Sequence, residues 1–337
     1  MDDGKINMTH GSGGEAYRSL IKEIFLPEFE NQFILPMTDS AVVPAGVRVA
    51  FTTDGYVIKP LFFPGGDIGR LAISGTVNDL AVSGARPLYI SVGMIIENGF
   101  EKEKLRAIVR SMAKTAKEAD VLIVTGDTKV VETGGCDGIY ITTSGVGVFE
   151  DNITPPRQIP MPGDAIIASG YIGSHGVAVM AARAELDFTP PIESDVRPMA
   201  AAVRAVAEVG VRINAMRDPT RGGVASVLLE WAEAAGASIT LEEEKIPVRG
   251  DVASACSLLG IDPLYSANEG VVLFSVAPDD ADAAVDALKN VSGCKAAAVI
   301  GRVGDDGADR GAVRVLTKYG TYRRVMPATG VLLPRIC

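Results

Sequence analysis

The sequence is poor in the residues on which zinc proteins and disulfide-stabilised proteins depend. Its 337 residues include four cysteines, two histidines and one tryptophan, and aromatic residues make up 6%. None of the cysteines is spaced from another as zinc ligands are: Cys136, Cys256, Cys294 and Cys337. Scattered cysteines in a chain of this length also exclude a disulfide scaffold. We therefore expect no zinc site, no structural disulfide and a cytoplasmic protein.

Basic runs and a leader segment are missing as well. The net charge is −10 and the isoelectric point is about 4.9, which excludes duplex nucleic acid and anionic membrane surfaces as expected partners. The chain opens on Met1-Asp2-Asp3, so we expect no signal peptide. Residues 165–182 lack charge, but glycines and polar residues near their centre predict a strand, a turn and a helix rather than a membrane span.

The common glycine-rich nucleotide motifs are absent too. There is no G-x-x-x-x-G-K-[ST] sequence, which excludes a P-loop protein. Glycines near residues 145 and 301 do not have the spacing of the dinucleotide-binding fingerprint. Yet 47% hydrophobic residues indicate a globular protein, and 37 glycines indicate many tight turns or close approaches of backbone to a ligand.

Strands and helices alternate along the chain, which predicts an α/β (α+β) fold. Examples are strands over residues 48–53 and 121–125 and a helix over 101–120. The length predicts two domains, and the proline-rich stretch 152–163 is the strongest boundary signal. We predict an N-terminal domain at 1–153, a C-terminal domain at 154–326 and an extended tail at 327–337.

Five aspartates stand in glycine-rich or strand-end settings: Asp39, Asp54, Asp79, Asp127 and Asp218. Asp54 and Asp127 are each predicted to follow a strand directly, where α/β folds place ligand sites. Asp79 belongs to a predicted apolar helix, where a buried carboxylate costs on the order of several kcal/mol unless it is paired or binds a metal. Carboxylates without histidine suit Mg²⁺, which also takes substrate phosphates. Taken singly, each aspartate is more readily explained as a helix cap or turn residue, but that explanation is much weaker for all five together.

Other candidates carry different chemistry. The loop His10–Gly14 can form a nest of backbone N–H groups around an anion, and the alternative is a flexible N-terminus. Lys129 can neutralise phosphate charge or move a proton, and the alternative is an exposed surface lysine. Glu269 precedes a predicted strand, where a glutamate is commonly an exposed edge charge.

The last residue is itself a candidate nucleophile. Cys337 ends a stretch that carries two prolines and a glycine, so its thiol resembles a group carried on a tether. Residues 327–337 can span roughly 35 Å when extended. Because no residue follows the cysteine, it is not a prenylation site. A chance terminal cysteine is the alternative.

Six segments of the sequence carry a specific pattern: residues 53–58, 75–87, 125–129, 218–223, 267–270 and 334–337. The Pro-Arg-Ile-Cys ending is the most specific of them. Together these segments closely resemble the HypE family of hydrogenase maturation factors, the carbamoyl dehydratases. The match runs essentially from end to end, within a superfamily that includes aminoimidazole ribonucleotide synthetase, selenophosphate synthetase and thiamine-monophosphate kinase.

The resemblance implies a two-domain aminoimidazole ribonucleotide synthetase-like fold with a flexible C-terminal tail. It implies a homodimer formed by the N-terminal domain, with ATP near the domain junction. It also implies a reaction: HypF, a carbamoyltransferase, loads a carbamoyl group onto Cys337, and ATP-dependent dehydration converts the S-carboxamide to an S-cyanate. The cyano group then passes to iron on the scaffold proteins HypC and HypD, for [NiFe]-hydrogenase.

The resemblance also implies residue roles. Lys129 and Glu269 assist the dehydration of the group on Cys337. Mg²⁺ is held by Asp39, Asp54, Asp79 and Asp218. Nucleotide binding falls to Gly11, Gly13, Gly14, Asn78, Asp127 and Arg221. Two alternatives are a small-molecule ATP-dependent enzyme of the same superfamily, which has no use for Cys337, and a non-catalytic thiol carrier, which leaves the carboxylates unexplained.

Overall fold

The structure, a computed structural model, describes residues 15, 18–19, 22, 41–45, 47–150, 155–186, 188–304 and 309–328, with backbone alone for 41–45 and 47. The elements below are those of these ranges. The predicted boundary between residues 153 and 154 falls in a gap between them, and the predicted tail is described only to residue 328.

The first sheet has five strands in the order β1-β2-β7-β5-β6. Its members are β1 (Ala41–Ala45), β2 (Val47–Tyr56), β5 (Arg86–Glu97), β6 (Leu122–Val131) and β7 (Ile139–Val148). The pair β5–β6 is parallel, whereas β1–β2, β2–β7 and β5–β7 are antiparallel. Strand β6 therefore forms one edge of this sheet. A separate two-stranded hairpin joins β3 (Phe62–Phe63) to β4 (Gly66–Asp67).

Two helices accompany this sheet, α1 (Ile68–Val82) and α2 (Lys102–Glu118). Helix α1 begins where the Asp67 carboxylate accepts hydrogen bonds from the N–H groups of Gly69 and Arg70, at 2.7 and 3.0 Å. This cap satisfies two backbone donors that the first turn leaves unpaired. Almost every residue of α1 is buried, since the helix packs on β2 and β7, on α2 and on the second domain.

The second sheet has seven strands in the order β14-β13-β10-β12-β8-β11-β9. In chain order these are β8 (Ala165–Ala168), β9 (Ile213–Arg217), β10 (Ile239–Glu242), β11 (Leu273–Val276), β12 (Ala298–Val303), β13 (Val313–Leu316) and β14 (Tyr322–Val325). The helices of this half are α3 (Ser174–Arg183), α4 (Ala200–Glu208), α5 (Gly223–Ala235), α6 (Gly250–Leu259) and α7 (Ala281–Lys289).

The apolar cores of the two halves interlock around α1. Val179, Val196 and Ala267 from the second half pack into the core between α1, α2 and the first sheet. Ala81 and Val82 at the end of α1 pack in turn against Ile167 and other residues of the second sheet. The contact area between the halves therefore lies beside the segment of α1 that carries Asn78 and Asp79.

The α/β alternation predicted from the sequence is confirmed, including the helix at 101–120 and the strand–helix reading of residues 165–182. Within the described ranges, no helix is long and apolar enough to cross a membrane. One detail is wrong: Asp54 and Asp127 lie inside β2 and β6, not after them. Both strands continue through polar residues because their backbones pair with β7 and β5, respectively.

Candidate active site

The candidate site begins where β2 faces α1. The Thr52 hydroxyl donates a hydrogen bond of 2.8 Å to an Asp79 carboxylate oxygen. Asp54, two residues further along β2, projects to the same side of the sheet, because its partner across β7 is the buried Thr143. Two predicted carboxylates therefore extend from neighbouring elements into the space between sheet and helix.

Tyr56 follows Thr52 and Asp54 on the same face of β2. Its side chain is buried, and its hydroxyl lies 3.3 Å from the Thr76 hydroxyl oxygen. Burial raises the pKa of the phenol well above its usual value, and the negative charges of Asp54, Asp79 and Glu269 raise the pKa further. Tyr56 thus has carboxylates of both halves of the chain around it. Its place two residues after Asp54, on the same face of a strand, is the sequence signal that points to it.

Glu269 is a buried carboxyl group, not the exposed edge charge that a glutamate before a strand commonly is. Burial raises its pKa well above the usual range, and the charges of Asp218, Asp195 and Asp54 raise the pKa in that order. The nearby Arg221 guanidinium acts in the opposite direction. The fold therefore gathers Asp54, Asp218, Arg221 and Glu269, which come from separate segments of the sequence.

The segment before Glu269 is held by Asn268. The fully buried Asn268 side chain accepts a 2.7 Å hydrogen bond from the Gly173 N–H and donates to the carbonyl oxygens of Pro219 and Ser266, both at 3.0 Å. Because Pro219 follows the buried Asp218 directly, this amide couples the two segments that carry Asp218 and Glu269.

Asn78 lies between α1 and the second half. Its Oδ1 accepts a 2.7 Å hydrogen bond from the Met199 N–H. Its Nδ2 donates to the carbonyl oxygens of Arg197 and Glu269, at 3.2 and 3.4 Å. The structure thus places this amide as a bridge to the backbone beside Glu269, and its role in nucleotide binding stays a prediction.

Asp127 and Lys129 form an exposed ion pair, with 2.6 Å between Lys129 Nζ and Asp127 Oδ2. The lysine hydrogen bond and that of the Thr128 N–H lower the pKa of Asp127. In the β5–β6 register Lys129 lies beside Ile95, which is exposed on the face of the sheet away from α1. Three strand spacings, about 14 Å, separate the rows of Asp54 and Asp127. Within one chain, therefore, this pair does not join the carboxylates at α1.

The remaining predicted site residues lie outside the described ranges: Gly11, Gly13, Gly14, Asp39 and Cys337. The segment leading to Cys337 is described as far as residue 328. There the Tyr265 hydroxyl accepts from the Met326 N–H at 3.1 Å and donates to the Met326 carbonyl oxygen at 2.8 Å. The terminal segment therefore begins at a residue tied to the loop that leads into Glu269.

The described carboxylates have the chemistry, but not the spacing, of a closed metal cage. Among the described residues, no three acidic, histidine or cysteine side chains are close enough together to hold an ion by themselves. Magnesium, however, commonly takes one or two carboxylates, with water and phosphate oxygens completing its shell. The hard oxygen donors of Asp54, Asp79 and Asp218 fit that open arrangement. The charges of Asp54 and Asp218 raise the pKa of Glu269, and those of Asp54 and Asp79 raise the pKa of Tyr56.

Two family models match the chain. The N-terminal domain of AIR synthase related proteins matches residues 37–149, and the C-terminal domain matches residues 161–314. Among curated relatives, carbamoyl dehydratase HypE of Cupriavidus necator is 46% identical over 336 residues, which cover 99% of this chain and 95% of that protein. The HypE of Escherichia coli K12 is 42% identical, covering 98% of this chain and 99% of that protein.

Solved structures agree with these matches. A crystal structure of a HypE–HypF complex superimposes with a TM-score of 0.87 at 47% identity, covering 92% of this chain and all of that one. A HypE in complex with ATP gives 0.83 at 41% identity, covering 99% of this chain and all of that one. Thiamine monophosphate kinase from Aquifex aeolicus, 18% identical with a TM-score of 0.67, shares the fold alone. Near-complete coverage at this identity confirms the resemblance in the sequence and the predicted fold class: the chain belongs to the HypE carbamoyl dehydratase family and is built from the two AIR synthase related domains.

Proposed function

We propose that this chain is an ATP-dependent carbamoyl dehydratase that acts on a carbamoyl group carried by its own Cys337. The product is an S-cyanate, which supplies the cyanide ligands of [NiFe]-hydrogenase. The names of the relatives support the activity, and the relative in complex with ATP supports the nucleotide. The observation that carries the proposal is the buried Glu269 among carboxylates of both domains. The loop that leads to Glu269 is hydrogen-bonded, through Tyr265, to Met326, where the terminal segment begins.

The reaction needs an activated leaving group. The oxygen of the S-carboxamide attacks the terminal phosphorus of ATP, ADP departs, and the oxygen later leaves as inorganic phosphate. The two protons on nitrogen are lost as the C≡N bond forms. Positioning and neutralisation of charge supply most of the catalysis of such a phosphoryl transfer, so no enzyme residue is needed as a nucleophile in that step.

Asp54, Asp79 and Asp218, with Asp39 from outside the described ranges, are the residues that we propose to hold Mg²⁺ with the nucleotide. The ion would neutralise phosphate charge during the transfer. Asp54 and Asp79 come from the first domain and Asp218 from the second, so an ion bound by all three would link the two domains. We place Arg221, next to the same cluster, on the nucleotide phosphates. The N-terminal glycines Gly11, Gly13 and Gly14 stay proposed phosphate ligands.

Glu269 is our proposed base for the nitrogen protons. A carboxylate whose pKa is raised by burial binds a proton more strongly than one in water, which suits proton abstraction once it is ionised. The nearby positive charge of Arg221 favours that ionised form. General acid–base help of this kind is typically worth about 10²–10⁴-fold in rate.

The terminal segment is long enough to bring its thiol to Glu269. Glu269 lies four positions after Tyr265, at most about 14 Å of chain, and the eleven residues after Met326 span roughly 35 Å when extended. Because the Tyr265 hydroxyl is hydrogen-bonded to the backbone of Met326, the extended terminal segment is longer than the distance that the Cys337 thiol must cover to reach Glu269. Carrying the substrate on the same chain makes its reaction intramolecular.

We also propose a homodimer formed by the first sheet. Edge strand β6 presents the apolar side chains of Leu122, Val124 and Val130, and on the adjoining strand Ile95 is exposed on the face away from α1. An exposed apolar strand at a sheet edge is a ready site for pairing with another chain. Asp127 and Lys129 lie on the same face, so we propose that they act in nucleotide binding and catalysis only in the dimer.

The remaining partners are proposals of the same kind. The solved HypE–HypF complex of a relative supports HypF as the carbamoylating partner. We propose HypC and HypD as acceptors of the cyano group and the cytoplasm as the compartment, the latter from the cysteine usage of the sequence.

Mass spectrometry of the C-terminal peptide tests the proposed activity. After incubation with HypF under carbamoylating conditions, we expect an adduct on Cys337 that loses one water only when Mg-ATP is added. Cys337→Ala should give no adduct while retaining ATP binding. An adduct that never loses water would indicate a thiol carrier. Turnover of a free small molecule by a chain lacking residues 327–337 would instead indicate the small-molecule enzymes of the superfamily.

A further inference from the structure

One short segment of the second domain, Asp195–Arg197, holds the backbone of Glu269 and Gly270 through hydrogen bonds, a set of contacts called the grip below. The Asp195 carboxylate accepts from both successive N–H groups, from Glu269 at 3.4 Å and from Gly270 at 3.0 Å. The Arg197 guanidinium donates to the Gly270 carbonyl oxygen through Nε at 3.1 Å and Nη2 at 2.9 Å. The Arg197 N–H donates to the Glu269 carbonyl oxygen at 3.1 Å. All four backbone polar groups of the pair are thus satisfied by Asp195 and Arg197.

This grip requires glycine at two positions. A methyl group on Gly270 would overlap the carbonyl oxygen of Asp195, and one on Gly293 would overlap the Arg197 guanidinium. In both cases the colliding group belongs to the segment that holds Glu269. The close approach of the two backbones is therefore built into the sequence at Gly270.

The first domain holds the same segment from the other side. Asn78 on α1 contacts the backbone at Arg197, Met199 and Glu269, and it directly precedes Asp79. Any shift of the Asp195–Arg197 segment therefore moves Glu269 relative to α1, which also presents the Asp79 carboxylate.

A carboxylate at position 195 has an electrostatic cost that a purely structural contact does not require. Asp195 is only partly exposed, and it adds negative charge near Glu269. A neutral amide would avoid that repulsion. However, an amide has one acceptor oxygen where the carboxylate has two, and two successive N–H groups must be held. A carboxylate oxygen is also a stronger acceptor than a neutral amide oxygen.

We propose that Asp195 is a positioning residue that fixes the Glu269 backbone, so that the Glu269 carboxyl group meets the nitrogen of the substrate on Cys337. The proposal rests on the proposed function, since it assigns Asp195 an effect that passes through Glu269. Arg197 and Gly270 complete the same grip.

A double-mutant cycle on the carbamoylated full-length chain tests this inference. The rate measured is the loss of one water from the Cys337 adduct in a single turnover at saturating Mg-ATP, beside the half-saturating ATP concentration. We expect Glu269→Gln to slow the step about 10²-fold or more. Asp195→Ala should slow the step by about tenfold or more. Asp195→Asn should have a rate between those of the parent and Asp195→Ala, since asparagine keeps one acceptor oxygen. The half-saturating ATP concentration should change less than about threefold.

The combined variant decides between positioning and general support. If Asp195 acts through Glu269, the double variant Asp195→Ala/Glu269→Gln is no slower than Glu269→Gln alone, within about threefold. Asp67→Ala is the matched control, because Asp67 also accepts from two backbone N–H groups but lies at the start of α1. It should lower stability while leaving the dehydration rate within about threefold of the parent.

Two results overturn different conclusions. If Glu269→Gln reacts at the parent rate, Glu269 is not the base, and both the proposed mechanism and this inference fail. If Glu269→Gln is slow but Asp195→Ala is not, or if the two effects multiply, the mechanism stands and the positioning role of Asp195 is wrong. Should Asp195→Ala fail to fold, Asp195→Asn is combined with Glu269→Gln in the same cycle and judged by the same criteria.

Discussion

The Thr52 hydroxyl donates a 2.8 Å hydrogen bond to the Asp79 carboxylate, joining strand β2 to helix α1 at the edge of the candidate site. The contact orients the Asp79 carboxylate on a helix whose other residues are almost all buried. A fixed orientation suits the metal-binding role that we propose for Asp79.

Replacing Asp79 by asparagine should weaken nucleotide binding without unfolding the protein. The asparagine side chain keeps the shape and an acceptor for Thr52 but removes the charge proposed to hold Mg²⁺. We expect the Mg-ATP affinity, measured by titration calorimetry, to fall about tenfold or more. The control, Thr52→Val, leaves the charge in place and should lower the affinity less. An unchanged affinity of Asp79→Asn would remove Asp79 from the proposed metal ligands.

The raised pKa of Glu269 makes stability depend on pH in a defined direction. The unfolded chain loses this proton near pH 4.5 and the folded chain only at higher pH. The folded state thus holds more protons between these values, and stability is lost as the pH rises from about 4.5 to the folded pKa. Glu269→Gln cannot ionise, so its advantage over the parent should grow across this window.

Urea unfolding at pH 5 and pH 8, without nucleotide or Mg²⁺, measures that difference. We expect Glu269→Gln to gain about 1 kcal/mol or more relative to the parent between the two pH values. Glu243→Gln, in a short turn with an exposed side chain, serves as the control and should show no such gain. If the difference in free energy of unfolding between Glu269→Gln and the parent is the same at both pH values, the pKa of Glu269 is not raised in the folded chain.

A charge on the apolar edge of the first sheet should prevent the proposed dimer. Val124 lies on β6 with 56% of its surface exposed, so Val124→Lys adds a charge to the edge without disturbing a core. We expect sedimentation to show a monomer and the dehydration rate to fall, because Lys129 would lose its place at the interface. Leu258→Lys introduces the same change at a more exposed site on α6 and should leave both measurements unaltered. A parent chain that sediments as a monomer refutes the dimer itself.

Loosening the root of the terminal segment should slow delivery of the carried group. Tyr265→Phe removes both hydrogen bonds to Met326 but keeps the ring. We expect a fall of about three- to tenfold in the single-turnover dehydration rate, with ATP affinity unchanged, because the segment starts from a less defined point. Tyr319→Phe, in an exposed turn between β13 and β14, is the matched control. Equal rates for the two variants would show that the tie to Met326 has no part in delivery.

The sequence alone identified the family, the two α/β halves and most of the charged groups of the site. Local motifs singled out Asp54, Asp79 and Asp218, whereas the role of Glu269 came from the family resemblance; the fold brings their charges near Tyr56 and Arg221. Local patterns sufficed because strand and helix periodicity and turn residues are properties of neighbouring positions. The same patterns predicted a helix around Asp79, which α1 confirms.

Only the tertiary structure decided which side chains share a face. Asp127 was expected beside the metal ligands, yet the β5–β6 register turns it with Lys129 to the side of the sheet opposite Asp54. Side chains alternate between faces with every residue, so a shift of one position in the register reverses the side on which a residue lies. Register depends on pairing between distant strands, which no local motif encodes.

The residues that sequence reasoning missed act through long-range contacts. Asp195 is an ordinary loop aspartate in the sequence, and its significance comes from two N–H groups more than seventy positions away. Tyr56 gains its raised pKa from burial and from carboxylates on its own strand, on α1 and in the second domain. The sequence by itself determined which chemistry this chain carries. Its arrangement was decided by burial and by strand pairing, because both bring together residues that are distant along the chain.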